Sequence, residues 1–179
     1  MTRQRDTAAG LFHVSCHSVW DLELYRDDID RTNYVAGLAR TTSETGWTCV
    51  SVCVMTTHVH LILDVDAAVI SDGMQRLNFR YAVEFNARHR RRGRVFGAPY
   101  DARRIVDDSY LLTAYKYDAW NPVEAGLVES PEQWIWGSYA DAIGLGDRFS
   151  FVDPSRVLGV VGGSPDVAVA RLRAFVEEP

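Results

Sequence analysis

The strongest constraint on the fold comes from residues 55–63, which read Met-Thr-Thr-His-Val-His-Leu-Ile-Leu. An apolar run that contains two histidines one residue apart predicts a β-strand. Successive side chains of a strand point to opposite faces, so His58 and His60 share one face while Val59 and Leu61 face a core. Two neighbouring imidazoles supply half of a divalent-metal site. On its own, the same pattern also fits an ordinary half-exposed strand.

Hydrophobic periodicity on both sides of this strand predicts an alternation of strands and helices. Alternating apolar residues predict three more strands, at 11–17, 47–55 and 102–106. Apolar residues at helical spacing predict a helix over 28–45, and Gly46 follows as a stop signal. Thr56 and Thr57 are expected to join two of the strands as a tight antiparallel hairpin.

Two further helices are expected from capping and stop signals. One is capped by Ser71 or Asp72 and runs to about Arg92. The other covers about 109–120 and has to end by Asn121, because the proline that follows disfavours α geometry at the residue before it. The order β-α-β-β-α-β-α predicts an α+β fold of the ferredoxin-like, split βαβ type. We expect an antiparallel sheet with helices on one face, an added tyrosine-bearing helix and a C-terminal helical tail.

The length of 179 residues fits one domain with a substantial core. We expect residues 1–145 to form this domain, and residues 146–179 to form a tail with one helix, over 165–178, packed on the same domain. Gly-Gly-Ser at 162–164 is interpreted as a hinge between a loop and that helix. The chain has no apolar run long enough to predict a membrane span. Its polar start predicts no secretory signal, and its three cysteines fit buried positions in a reducing cytoplasm.

Arginine is concentrated in one part of the chain. The formal net charge of −5 argues against a general nucleic-acid partner. Residues 80–104, however, hold eight arginines against Glu84 and Asp101, a local charge of +6 that leaves −11 on the remainder. Such a cluster is typical of a phosphate-backbone site, although a solvated helix end gives the same pattern. The candidate DNA contacts are Arg88, Arg90, Arg91, Arg92, Arg94, Arg103 and Arg104.

A second candidate site is the segment 115–123, which reads Tyr-Lys-Tyr-Asp-Ala-Trp-Asn-Pro-Val. On a helix, Tyr117 and Asn121 lie on the same face, whereas Tyr115 is about 200° away from Tyr117 and faces elsewhere. A metal held by two imidazoles and the Asn121 amide oxygen would lie within reach of the Tyr117 phenol, which could then attack a phosphate. A core aromatic residue and a helix cap are the alternative interpretation of the same two positions.

These segments together resemble the single-tyrosine HUH transposases, most closely their REP-associated tyrosine transposase branch. The resemblance rests on His58-Val59-His60, on Gly93-Arg94-Val95-Phe96, on Tyr117-x-x-x-Asn121-Pro-Val-Glu-Ala-Gly-Leu-Val, and on Pro131-Glu-Gln-Trp-Ile-Trp-Gly-Ser-Tyr139. It covers about residues 11–140. It is specific because separate motifs occur in the expected order and at the expected spacing.

The resemblance implies a metal-dependent single-strand DNA endonuclease and strand transferase that acts on hairpin or palindromic DNA. His58, His60 and Asn121 would bind a divalent cation, Mg²⁺ or Mn²⁺, and imidazole ligands favour Mn²⁺. Tyr117 would be the nucleophile and would form a 5′-phosphotyrosine intermediate. The implied partner is single-stranded or hairpin DNA, bound by a monomer or a homodimer. The implied location is the bacterial cytoplasm, in association with the nucleoid.

The chain departs from the family pattern at two places. Asp118 and Ala119 stand where members commonly have an aliphatic residue and a histidine, and Thr56-Thr57 replaces the usual proline and Asn or Asp before the first motif histidine. Neither change removes a proposed ligand or the nucleophile. A domesticated or inactive copy that only binds structured DNA remains an alternative function, as does an unrelated ferredoxin-like protein that binds a small molecule.

Several other aromatic and imidazole side chains have two interpretations. His13 and His17 fit satisfied histidines of the first strand, with a place beside the site as the alternative. Trp120, Trp134 and Trp136 fit a core better than a platform for stacked bases.

Overall fold

The computed structural model describes residues 9–20 and 22–178, so the polar start of the chain lies outside the described residues. Within them the chain forms four β-strands and six α-helices. The elements are β1 (Ala9–His17), α1 (Asp28–Thr45), β2 (Thr48–Val54), β3 (His58–Asp66), α2 (Ala67–Arg88), β4 (Asp101–Arg104), α3 (Asp108–Glu124), α4 (Tyr139–Ala142), α5 (Ser155–Val161) and α6 (Pro165–Glu177). A 3₁₀ turn, Pro131–Gln133, lies between α3 and α4.

The four strands form one antiparallel sheet in the order β2-β3-β1-β4. β1 and β3 occupy the centre and pair along their whole length, from Ala9 opposite Asp66 to His17 opposite His58. β2 and β3 form the expected hairpin. This order and these directions are those of the ferredoxin-like sheet, so the predicted fold class is confirmed.

Helices cover both faces of the sheet. α1 and α2 pack on one face, where Leu38 and Leu77 meet the inward-facing residues of β1 and β3. The added tyrosine-bearing helix, α3, lies on the other face together with α5 and α6. There Tyr115 and Leu172 pack around Ile62 of β3. The sheet is therefore buried on both sides, and any site on the α3 face has to form at the margin of a core.

α3 is longer than the sequence predicts. Instead of ending before Pro122, it continues to Glu124 with the proline inside its last turns. Its end is set by Gly126, which has a positive φ of 69° and donates to the Val123 carbonyl, while the next residue donates to the Pro122 carbonyl. This is the Schellman arrangement, which satisfies the last carbonyl groups of a helix. Asn121 therefore lies within the helix.

α2 begins earlier and ends earlier than predicted. Its N-cap is Asp66, whose side chain accepts from the backbone N–H of Ala68, rather than Ser71 or Asp72. The helix ends at Arg88 because Arg90 adopts a left-handed conformation with a φ of 51°.

The C-terminal segment contains two helices instead of the single one predicted. α5 precedes the Gly-Gly-Ser turn at 162–164, which consequently joins two helices. Glycine and β-branched residues in α5 disfavour a helix, but burial of Val157 in the second core stabilises it. Val157, Leu172 and Val176 are fully buried, so this segment packs on the same body as α3.

Among the described residues, none of the helices combines the length and apolarity that crossing a bilayer requires. Cys16, Cys49 and Cys53 are all buried as free thiols, as predicted.

α2 packs closely at Gly73 against Trp47, the residue that precedes β2. A Cβ at this position would overlap the buried indole ring of Trp47. We expect Gly73→Ala to lower the free energy of unfolding by about 1–3 kcal/mol, because a packed ring has to move. The control is Gly159→Ala in α5, where no atom lies within 4 Å of the added carbon and alanine raises helix stability by up to about 1 kcal/mol. If thermal unfolding shows equal changes in stability for Gly73→Ala and Gly159→Ala, the close contact between Gly73 and Trp47 is contradicted.

Candidate active site

The pairing of β1 with β3 brings four histidines together on the α3 face of the sheet. His17 lies directly opposite His58, and their rings stack with centroids 4.9 Å apart. His13 stacks on His60 at 5.3 Å, and the rings of His58 and His60 are 4.9 Å apart. The structure therefore places the two histidines of β1 beside the predicted motif.

His60 is the buried member of this group. It is 5% exposed, and within the described chain neither of its ring nitrogens has a hydrogen-bond partner. Burial, reinforced by the neighbouring imidazoles of His58, His13 and His17, lowers its pKa to about 3. The ring is thus neutral at physiological pH and keeps a lone pair available, which is the state that binds a metal ion.

His58 lies between two polar side chains. Its Nε2 is 3.2 Å from Oδ1 of Asn121, and its Nδ1 is 3.1 Å from the Thr57 hydroxyl. Burial lowers the pKa of His58, and the bond to Asn121 offsets this in part. Adjacent ligands of one octahedral ion, each about 2.0–2.1 Å from it, lie about 3 Å apart. The spacing of the His58 and Asn121 atoms fits such a pair, and the unpartnered His60 nitrogens fit a third ligand.

Tyr117 and Tyr115 lie on different sides of α3, and Tyr117 is exposed whereas Tyr115 is buried. The Tyr117 side chain is 46% exposed, with its ring centroid 5.3 Å from that of His60 and 6.2 Å from that of His13. Tyr115 is buried in the second core, and burial raises the pKa of its phenol. Of the two phenols, that of Tyr117 is therefore the one that can meet a substrate.

Tyr117 and the histidines border an open cleft of about 390 Å³. The cleft is lined by His13, Ser15, His17, His60, Asp101, Arg103, Tyr110, Thr113, Ala114 and Tyr117.

Asp118 is a site residue that the sequence did not predict. It is 1% exposed, its Oδ1 is 2.9 Å from His13 Nε2 and 3.7 Å from His60 Nδ1, and its Oδ2 has no partner among the described residues. Burial lowers the pKa of His13, but the hydrogen bond and charge of Asp118 outweigh this effect and raise it. Ligand atoms of His13, His60 and Asp118 all lie within 4.8 Å of one another, so this group could hold a metal ion.

The arginines of the predicted cluster fall into two groups: some pack against other residues of the fold, and the others face solvent or the cleft. Arg88 pairs with Asp27 and Asp30 at the start of α1, so it serves to join α2 to α1. Arg91 lies over the Phe85 ring and Arg104 over the Phe12 ring. These three side chains contribute to the packing of the fold.

The remaining arginines face solvent or the cleft. Arg90 and Arg92 are exposed, and exposed Arg94 donates to the Gly97 carbonyl. Gly97 in turn donates from its backbone to the His17 carbonyl, so this loop lies beside the histidine end of β1. Arg103 lines the cleft and pairs with Asp101 at 3.2 Å.

The three tryptophans of the second half of the chain belong to the packed structure. Trp120 donates to the Val176 carbonyl at 2.6 Å and Trp134 to the Val54 carbonyl at 3.2 Å, while Trp136 is buried. These contacts agree with the prediction that the three tryptophans belong to the core.

Comparison with known proteins finds a similar fold. The chain is similar to the structure of a REP-associated tyrosine transposase bound to a REP hairpin, with a TM-score of 0.66 and 11% sequence identity. The match covers 86% of this chain and 96% of the other. No family model and no curated protein matches the sequence. At this identity the likeness shows the fold, and it confirms at that level the resemblance that the motifs indicate.

The buried hydroxyl of Tyr115 has no hydrogen-bond partner among the described residues. A buried polar atom without a partner costs about 1–3 kcal/mol, so we expect Tyr115→Phe to leave the free energy of unfolding unchanged or to raise it. The matched control is Tyr139→Phe, because the Tyr139 hydroxyl donates to Glu177 at 3.4 Å. That variant should lose roughly 0.5–1.5 kcal/mol. Denaturant unfolding measures both, and a loss only in Tyr115→Phe would contradict this assignment.

Proposed function

We propose that the chain belongs to the single-tyrosine HUH transposases, in the REP-associated branch, and acts as a metal-dependent single-strand DNA endonuclease and strand transferase. The observation that carries this proposal is the arrangement of α3 over β3. One helix presents the exposed Tyr117 phenol 5.3 Å from the His60 ring and, one turn later, the Asn121 amide against His58. A nucleophile and a polar ligand thus share one rigid element above the histidine strand.

The residues that would hold the divalent cation, Mg²⁺ or Mn²⁺, are His58, His60 and Asn121. Two neutral imidazoles with one amide oxygen suit Mn²⁺ better than Mg²⁺. When bound, the ion supplies Lewis-acid polarisation of the scissile phosphate. The protein contributes the alignment, because the Thr57 hydroxyl contacts Nδ1 of His58 while Nε2 of the same ring is directed at the Asn121 oxygen.

In the cleavage step the Tyr117 oxygen would attack the phosphorus, and the bond from phosphorus to the 3′ oxygen would break. The product is a 5′-phosphotyrosine, and the departing 3′ oxygen takes up one proton while the phenol releases one. Attack by a free 3′-hydroxyl on the same phosphorus reverses the step and rejoins a strand. The energy of the phosphodiester is conserved in the covalent intermediate.

We propose single-stranded or hairpin DNA as the partner, in agreement with the similar transposase structure, which is bound to a REP hairpin. Arg103 lines the cleft, and Arg94 lies in the loop beside the end of β1. Arg90 and Arg92, in the segment just before this loop, are exposed and could contact the DNA backbone. The proposed acting form is a monomer or a homodimer. The proposed location is the bacterial cytoplasm, at the nucleoid.

The test of the proposed chemistry is a denaturing-gel assay for a covalent protein–DNA adduct. It uses hairpin DNA from the flanks of the gene with Mn²⁺. We expect an adduct with the wild type and with Tyr115→Phe, and a loss of at least 100-fold with Tyr117→Phe. His60→Gln should also abolish the adduct.

The alternative function, an inactive copy that only binds structured DNA, gives a different result. It predicts hairpin binding by wild type and Tyr117→Phe alike, with no adduct from either. An adduct that survives Tyr117→Phe but not Tyr115→Phe would mean that the nucleophile is wrongly assigned.

Exposed arginines should determine the salt dependence of DNA binding. We expect Arg90→Ala with Arg92→Ala to reduce the slope of log K against log salt by about 1–2, since each lost phosphate contact removes roughly 0.7–0.9. Arg171→Ala with Arg173→Ala on α6 changes the net charge equally and should leave the slope unaltered. Identical slopes for both double variants, measured by fluorescence anisotropy, would exclude Arg90 and Arg92 from the footprint.

A further inference from the structure

We propose that His13, His60 and Asp118 form a binding position of their own for a transition-metal dication such as Zn²⁺ or Co²⁺. We call it the inner position, and we call His58, His60 and Asn121 the outer position. The inner position binds its ion without DNA, so the proposal does not depend on the proposed DNA chemistry.

The first argument is the state of the buried polar atoms. Asp118 is 1% exposed and His60 5%, and neither Asp118 Oδ2 nor either His60 nitrogen has a hydrogen-bond partner within the described part of the chain. Buried polar atoms are paired in the great majority of cases, since leaving them unpaired is costly. A cation between these side chains would satisfy the carboxylate and one nitrogen of His60 together.

The second argument is distance. His13 Nε2 and Asp118 Oδ1 are 2.9 Å apart, and Asp118 Oδ1 and His60 Nδ1 are 3.7 Å apart. Ligands at 2.0–2.2 Å from a tetrahedral Zn²⁺ are separated by roughly 3.3–3.6 Å, so small rotations of the side chains suffice. Two imidazoles and one carboxylate are a common ligand set for such ions.

The third argument is charge. The inner position has a buried carboxylate, whereas the outer position has an amide, so a dication is better compensated inside. Arg103 also faces His13, but it pairs with Asp101 at 3.2 Å, which balances its charge. The cleft that His13 and His60 line provides a path from solvent.

The two positions share His60 and therefore exclude each other, because one neutral imidazole donates a single lone pair to a metal. Without a metal, His58 and Asn121 already satisfy each other at 3.2 Å, while at the inner position Asp118 Oδ2 and both His60 nitrogens have no hydrogen-bond partner among the described residues. We therefore expect one ion per chain, bound at the inner position when DNA is absent.

The test is a Co²⁺ titration followed by visible absorption, with Zn²⁺ competition, on the DNA-free full chain. We expect one ion per chain and at least 100-fold weaker binding in Asp118→Asn and in His13→Gln. His58→Gln and Asn121→Ala, the matched outer variants, should bind within about threefold of wild type. His60→Gln should lose binding whichever position is used.

The opposite pattern, with strong binding in Asp118→Asn and loss in Asn121→Ala, would overturn the proposal and leave Asp118 a residue that only orients His60. Two ions per chain would overturn it as well. Circular dichroism and metal-free unfolding check that each variant folds. A readout on the wild type alone is histidine ¹⁵N NMR with Zn²⁺. The ring signals of His13 should shift on binding and those of His58 should not, and a shift of His58 alone would contradict the inner position.

Discussion

The site depends on the register of the central strand pair. β1 and β3 align so that His17 faces His58 and Ser15 faces His60. Because side chains alternate between faces with a period of two, a slip of one residue would move one histidine pair into the opposite core. Burial of Val14 and Cys16 on that other face makes such a slip costly. The apolar residues of the strands therefore fix the positions of the imidazoles.

The second requirement is an uninterrupted α3. Tyr115 anchors this helix in the core, Asp118 points to the sheet, and Tyr117 and Asn121 lie along its open side. Asn121 meets His58 only because the helix continues through Pro122 to the cap at Gly126. An end at residue 120 would release Asn121 from the helix and remove its fixed spacing to the tyrosine.

Much of this arrangement could be predicted from the sequence. The strand periodicity gave the faces of His58 and His60, and the helical spacing distinguished Tyr117 from Tyr115. The sequence did not predict that α3 passes through Pro122, because the stereochemical rule describes a preference that a Schellman cap can override. Nor did it indicate where His13 lies, since a pairing register arises from contacts between distant segments. Asp118 stood out only as a departure from a pattern, and its burial depends on the sheet beneath it.

His13 and Asp118 are best understood as one unit. A carboxylate at 1% exposure is costly unless a partner meets it, and the 2.9 Å contact with His13 supplies that partner from a different element. The two residues are 105 positions apart in the sequence, so only the tertiary structure brings them into contact. The pairing of β1 with β3 sets where the histidines lie, and the His13–Asp118 pair places an acidic side chain beneath them.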